Sequence, residues 1–314
     1  MTDGAREAAR AKAEAEANAE VDASTPTGGA GRRCLLALRD GATWFLLYLL
    51  VRGALLAVTL LALLAVQAAG GEAIDANTFL AGFVEVVNGH AVAYTVAVNL
   101  LVLLAVWGVC RHRKTDFLQT TGFLPLPKGA RVSLLVLLGV ALNVFVTGVV
   151  LLLPPSLTAG YTAYSEAALG NGDLPTMLLL LLSAPLVEEL VFRGLLFFRF
   201  RRGMPMACAA ALSAAVFGLL HGQWLWALYA AAIGFVFGMV CGRYGTATAS
   251  LILHAAFNFS AAAGALLASL APAVATALAG AASAVLLVLV FRGGGRTASG
   301  DQRSTEEDTW KNDR

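Results

Sequence analysis

Charged side chains and cysteines are both scarce in this chain. Asp, Glu, Lys and Arg make up 13% of its 314 residues, whereas hydrophobic residues make up 58%. A soluble globular domain carries about twice that charged fraction, so the composition excludes that class. The basic residues form no patch interleaved with aromatics, which argues against a nucleic-acid partner. The four cysteines include no CxxC pair, so neither a disulfide framework nor a zinc knuckle is indicated.

In place of charge, the chain has a series of apolar runs long enough to cross a bilayer. They predict an all-α membrane protein, a polytopic bundle of about eight transmembrane helices, because helices satisfy their own backbone hydrogen bonds in lipid. Residues 77–88 predict an interfacial or re-entrant helix, and residues 154–173 predict a polar loop. The predicted spans are residues 44–67, 91–110, 132–153, 174–198, 205–220, 224–241, 246–270 and 272–291.

The distribution of positive charge predicts how the bundle is oriented. Lys and Arg fall in alternate connections between the predicted spans. The intervening outer connections contain no Lys or Arg, and the charged residues that they do contain are acidic. We therefore expect cytosolic N- and C-termini. Residues 1–33 and 292–314 are polar and low in complexity, which predicts disordered cytosolic tails around a bundle of residues 34–291. The Ala-, Gly- and Arg-rich composition favours a bacterial cytoplasmic membrane.

Three ionisable residues interrupt the fourth apolar run: Glu188, Glu189 and Arg193. Such residues are costly in hydrocarbon and are therefore mostly functional. Glu189 and Arg193 are four residues apart, on one helix face, and can form an ion pair. Glu188 points about 100° away and is left as a candidate general base. The alternative is a purely structural polar network, which would not explain Glu188.

Two further polar groups lie on other predicted spans. Phe217 precedes His221 by one helical turn, and His254 precedes Asn258 by the same spacing. Taken alone, His221 is typical of a residue at a membrane interface. Taken alone, His254 and Asn258 are typical of polar groups that link neighbouring helices by hydrogen bonds. Together with Glu188 they are sufficient to hydrolyse a peptide bond: a carboxylate and an imidazole can activate water, and an imidazole and an amide can stabilise an oxyanion.

The ordered motifs Glu188-Glu189-x-x-x-Arg193, Phe217-x-x-x-His221 and His254-x-x-x-Asn258 resemble the CPBP family, which comprises CAAX prenyl proteases and bacteriocin-processing (Abi) proteins. The resemblance covers residues 132–270, the expected catalytic core. It implies an intramembrane endopeptidase of the glutamic type. Glu188 with His221 would activate water, His254 and Asn258 would form the oxyanion hole, and Glu189, Arg193 and Phe217 would support the site. The implied substrate is a membrane-embedded or membrane-delivered peptide, as in peptide or bacteriocin maturation.

Several alternatives stay open at this point. We expect no cofactor, since Asn is a poor zinc ligand and no HExxH is present; two histidines and a glutamate nevertheless leave zinc as an alternative. A non-proteolytic scaffold or self-immunity protein, or a proton-coupled transporter, would also carry buried polar groups. Helix counting places Glu188 and His254 near mid-membrane but His221 near an outer end. Either the fifth span is tilted or residues 197–206 are partly interfacial.

Overall fold

A computed structural model gives the fold, and it describes residues 29–70, 75–127, 130–169, 174–261, 266 and 269–292. These residues form helices and connections, with no strand among them. Most of the two predicted tails lies outside this described part. The helices are α1 (Ala30–Gly70), α2 (Ala76–Gly89), α3 (Ala91–Arg113), α4 (Phe117–Thr120), α5 (Ala130–Leu152), α6 (Pro155–Leu169), α7 (Leu174–Glu188), α8 (Phe198–Arg201), α9 (Met206–Leu219), α10 (Trp224–Tyr244), α11 (Ala247–Phe259) and α12 (Pro272–Arg292).

The helices confirm an all-α membrane protein. Five of the described helices are long and apolar enough to cross a bilayer: α1, α3, α5, α10 and α12. Two shorter apolar helices, α9 and α11, lie within the fifth and seventh predicted spans, and α11 ends at Phe259, well before residue 270. The fourth span is a composite, in which a π-helix at Glu189–Phe197 joins α7 to α8.

Two stretches that were predicted to be non-helical are helical in the structure. Residues 154–173 were predicted as a loop, but Pro155–Leu169 is helical. Pro155 suits a first helical turn, where its missing N–H costs nothing, and α6 packs on α10 and α3. Helix α1 begins at Ala30, within the stretch predicted as a disordered tail. At both places, a prediction based on polarity alone gave too little helix.

Helix α2 covers the stretch that was predicted to be interfacial or re-entrant. It has no buried residue. Asp75 caps it by accepting a hydrogen bond from the Thr78 backbone N–H at 2.8 Å. The bonds from the Thr78 hydroxyl and backbone lower the pKa of Asp75, so this cap is charged at neutral pH.

The basic segments meet at one end of the bundle. The guanidinium groups of Arg113 and Arg199 both lie over the Trp44 ring, at 5.5 and 5.4 Å from its centroid. Arg202 forms an exposed ion pair with Asp40 at 3.3 Å. The start of α1, the end of α3 and α8 therefore share one side, as the charge pattern predicts. That this side faces the cytosol stays a prediction.

Helix α11, which carries His254, packs very closely on α5. A Cβ added at Gly139 would lie 2.5 Å from the carbonyl oxygen of Leu253 and 2.8 Å from the Ala256 Cβ. Because the contact is with backbone, a larger side chain there must push the two helices apart. Gly139 thus sets the distance at which His254 is held.

We predict that Gly139→Leu destabilises the protein by roughly 1–3 kcal/mol, the usual cost of overpacking. Thermal denaturation of the detergent-purified protein measures the change. Gly108→Leu is the matched control, because nothing lies within 4 Å of a Cβ at Gly108. Equal stability of the two variants would contradict the close contact between α5 and α11.

Candidate active site

The fourth span changes its helical form at the glutamate pair. Glu188 ends α7, and the π-helix begins at Glu189 with every one of its residues buried. Its backbone hydrogen bonds join residues that are five apart; for example, the Phe198 N–H donates to the Arg193 carbonyl. Pro185 weakens the α-helical bonding one turn earlier, because it has no N–H to donate. Such π-helical turns occur frequently at functional sites.

Side chains from other segments satisfy the carbonyl groups of this π-helix. The Ser213 hydroxyl donates to the Phe192 carbonyl at 2.6 Å. Arg199 Nη1 donates to the carbonyls of Gly194 at 2.6 Å and Thr120 at 2.9 Å. A Cβ at Gly194 would collide with the carbonyl oxygen of Thr121, so the connection after α4 lies directly against the π-helix. The unusual helix is therefore fixed from two sides.

Arg193 and Glu189 form a fully buried ion pair, as their spacing predicts. Arg193 Nη1 donates to Glu189 Oε1 at 2.8 Å, and Nη2 donates to the Gly234 carbonyl at 3.0 Å. The guanidinium lies over the rings of Phe217 and Phe237, at 4.8 and 5.3 Å. These contacts replace the water that the cation loses on burial. Arg193 thereby ties the π-helix to α10.

His254 bridges the two glutamates. Its Nδ1 lies 2.8 Å from Glu189 Oε1, and its Nε2 lies 3.5 Å from Glu188 Oε2. Because a carboxylate only accepts hydrogen bonds, Nδ1 carries the proton that it donates to Glu189. The ring orientation is thus set by Glu189, and Nε2 is directed at the neighbourhood of Glu188. Glu189 Oε1 accepts from both Arg193 and His254, while its Oε2 has no partner in the described part of the chain.

Glu188 and Glu189 differ sharply in accessibility. The Glu188 side chain is 28% exposed and the Glu189 side chain is 0% exposed. Glu188 has His254 as its one ion-pair contact within the described segments. Tyr48 and Tyr229 lie within electrostatic range of its carboxylate. Adjacent residues therefore have different roles in the structure: Glu189 is buried and hydrogen-bonded, and Glu188 is partly exposed.

His221 reaches the same region by way of Phe217. The Phe217 ring lies edge-on to His221 at 4.7 Å and to His254 at 6.1 Å. His221 Nδ1 donates to the Phe217 carbonyl at 2.9 Å, which leaves Nε2 as an acceptor. Among the described residues, His221 forms neither an ion pair nor a hydrogen bond with Glu188. Both histidines therefore lie edge-on to the Phe217 ring.

The short α9 explains the depth of His221. Its 14 residues span about 21 Å, less than the roughly 30 Å of a hydrocarbon core. Because α9 starts beside the basic end, its last turn falls short of the opposite surface. The short fifth span thereby reduces the apparent conflict between the predicted depths of His221 and Glu188.

Asn258 follows His254 by one turn, close to the end of α11. It is partly buried, and its side chain makes no hydrogen bond within the described part of the chain. Its amide is thus available to a ligand. The described residues contain no group of three His, Cys, Asp or Glu side chains placed to hold a metal ion.

Sequence reasoning missed several residues that build the site. Gly234 supplies a carbonyl to Arg193, and a Cβ there would lie 2.9 Å from Phe217 Cδ1. Ser213 and Arg199 stabilise the π-helix, and Tyr229 lies near Glu188. Their spacing in the sequence does not predict these roles, because each residue contacts a different segment of the fold. The one available signal was Arg199, a basic residue adjoining the apolar run.

Residues 170–260 match the family model described as type II CAAX prenyl endopeptidase Rce1-like. The matched segment contains all three motifs, from Glu188 to Asn258, and confirms the resemblance that they indicate. No curated protein and no solved structure gives a significant match. The chain is a multi-pass membrane protein, and the family match supports a membrane protease.

We predict that Arg193→Met destabilises the fold by about 3–5 kcal/mol, because it leaves Glu189 buried without its counter-ion. Arg52→Met is the matched control. Arg52 is exposed, with its one hydrogen bond in the described residues to the Tyr48 hydroxyl, so its loss should cost less than about 1 kcal/mol. Thermal denaturation in detergent compares the two. Similar losses would contradict the structural role of the Glu189–Arg193 pair.

Proposed function

We propose that this protein is an intramembrane endopeptidase that hydrolyses a peptide bond with a water molecule activated by Glu188. One observation carries the proposal. Glu188 is partly accessible beside His254 Nε2, while adjacent Glu189 is fully buried and bonded to Arg193 and His254. A carboxylate free to exchange protons next to an oriented imidazole is what general-base catalysis requires.

In the proposed reaction, Glu188 takes a proton from water as the water oxygen attacks the carbonyl carbon of the substrate. His221 Nε2, which accepts hydrogen bonds while Nδ1 is held by the Phe217 carbonyl, helps to orient the water. The carbonyl oxygen becomes an oxyanion. The new C–O bond is kept when the C–N bond breaks, and the leaving amine takes its proton from the Glu188 carboxyl group.

The oxyanion is stabilised by two donors in this scheme. When His254 carries both protons, its Nε2–H lies beside Glu188 and donates to the oxyanion, while its Nδ1–H stays on Glu189. The Asn258 amide, on the same face of α11, is the second donor. Donors fixed in advance are effective because they need no reorganisation during the reaction. Glu189 and Arg193 act by positioning His254.

The scheme uses no metal ion. Nδ1 of His254 is protonated and bonded to Glu189, which leaves Nε2 as the ring nitrogen that faces Glu188. Asn258 would be a poor third ligand. Chemical activation therefore rests on Glu188 and the two histidines.

The proposed substrate is a peptide that is embedded in the membrane or delivered to it, as in peptide or bacteriocin maturation. Exposed apolar side chains surround the bundle, so the access route contacts lipid. The proposed location is a bacterial cytoplasmic membrane, with both termini in the cytosol.

We predict that Glu188→Gln lowers cleavage by roughly 10²–10⁴-fold, the usual contribution of a general base, while the protein still inserts and folds. Mass spectrometry of membrane and secreted peptides, compared between wild-type and Glu188→Gln cells, measures the loss and identifies the substrate. Glu85→Gln, an exposed change in α2, is the matched control. Identical peptide profiles in wild-type and Glu188→Gln cells would favour a scaffold or self-immunity protein instead.

We also predict that removal of metal ions leaves cleavage unchanged. The purified protein is dialysed against a chelator and assayed on the substrate in liposomes. Recovery of a lost activity on adding Zn²⁺ would contradict the scheme and show that His254, His221 or Glu188 binds metal.

A further inference from the structure

Three aromatic side chains adjoin the site and have no part in the proposed chemistry. They are Tyr161 of α6 and Trp226 and Tyr229 of α10, here called the aromatic corner. Each is partly exposed, so the protein does not fully enclose the rings. Phe217 and Phe237, in contrast, are buried beside Arg193.

The rings of the corner are arranged at defined angles. Trp226 and Tyr229 are nearly parallel, at 14° and 6.4 Å between centroids. Tyr161 stands nearly perpendicular to both, at 69° and 5.9 Å from Trp226 and at 76° and 6.0 Å from Tyr229. The three rings thus combine one nearly parallel pair with two edge-to-face contacts. Aromatic pairs prefer edge-to-face and offset arrangements, which this combination can offer to a further ring.

The corner adjoins His221 and lies within electrostatic range of Glu188. Trp226 lies 5.7 Å from the His221 ring, and Tyr229 lies within electrostatic range of Glu188. A peptide bond held between Glu188 and His221 would therefore place a neighbouring side chain against these rings. Successive residues of an extended peptide are about 3.5 Å apart, so the corner is within reach of a residue next to that bond.

Two structural features hold the corner in place before any substrate binds. The Gln223 side chain caps α10 by accepting from the Trp226 backbone N–H at 2.8 Å. Gly222, with φ of 73°, makes the turn between His221 and this cap. Helix α6 approaches the same turn, since a Cβ at Gly160 would lie 3.7 Å from Gln223 Nε2.

We propose that Tyr161, Trp226 and Tyr229 form the specificity surface of the protease and bind an aromatic side chain beside the scissile bond of an apolar peptide. This inference rests on the proposed function and adds a substrate class to it. An aromatic residue gains edge-to-face contacts that an aliphatic residue of similar size does not. The gain corresponds to about 3- to 10-fold in affinity.

The test measures binding without hydrolysis, in the full-length Glu188→Gln protein reconstituted in liposomes. The probes are two labelled peptides of about 20 apolar residues, long enough to span the bilayer, with Phe or Leu at one central position. Energy transfer to a label on the protein reports binding. We expect the Phe peptide to bind about 3- to 10-fold more tightly than the Leu peptide.

Tyr161→Ala and Trp226→Leu, each added to Glu188→Gln, should reduce this Phe-to-Leu ratio to about one. Trp107→Ala, which removes an exposed ring of α3, is the control and should leave the ratio unchanged. Equal affinities in the parent protein, or an unchanged ratio in both corner variants, would overturn the proposal. Absence of cleavage by the protein with Glu188 intact would contradict the proposed function alone, because the binding ratio does not depend on hydrolysis.

Discussion

The site depends on one carboxylate oxygen. Glu189 Oε1 accepts a hydrogen bond from Arg193 and another from His254, both at 2.8 Å, and all three side chains are buried. This shared acceptor joins the fourth span to α11, and Arg193 extends the connection to the Gly234 carbonyl of α10. Burying such charges costs desolvation free energy. The hydrogen bonds offset this cost only when the three helices keep their relative positions. The accessible Glu188 is then placed relative to His254 as a consequence.

The surrounding packing maintains that arrangement. Ser213 and Arg199 donate hydrogen bonds to two carbonyl groups of the π-helix at Glu189–Phe197. Close approach at Gly194 and Gly139 brings backbone against backbone, so the helices on both sides of the site have little room to move. Rigid support of this kind favours precise placement of catalytic groups.

Much of this architecture could be predicted from the sequence. Hydropathy and the charge pattern predict the order of the helices, because lipid imposes strong constraints on both. The spacing of Glu189 and Arg193 predicts their ion pair, because residues four apart lie on the same helix face. The π-helix, the α6 helix and the contact of His254 with both glutamates could not be predicted. They depend on packing between segments distant in sequence, and the aromatic residues that form the corner are ordinary ones for a membrane helix.

We propose that the two adjacent glutamates have separate roles, Glu188 in chemistry and Glu189 in structure. Purified Glu188→Gln and Glu189→Gln proteins, assayed in parallel for thermal stability and for cleavage, test it most directly. We expect Glu188→Gln to keep wild-type stability and lose cleavage. We expect Glu189→Gln to lose several kcal/mol of stability, because Arg193 is left buried without a counter-ion. Full cleavage by folded Glu188→Gln protein would contradict it.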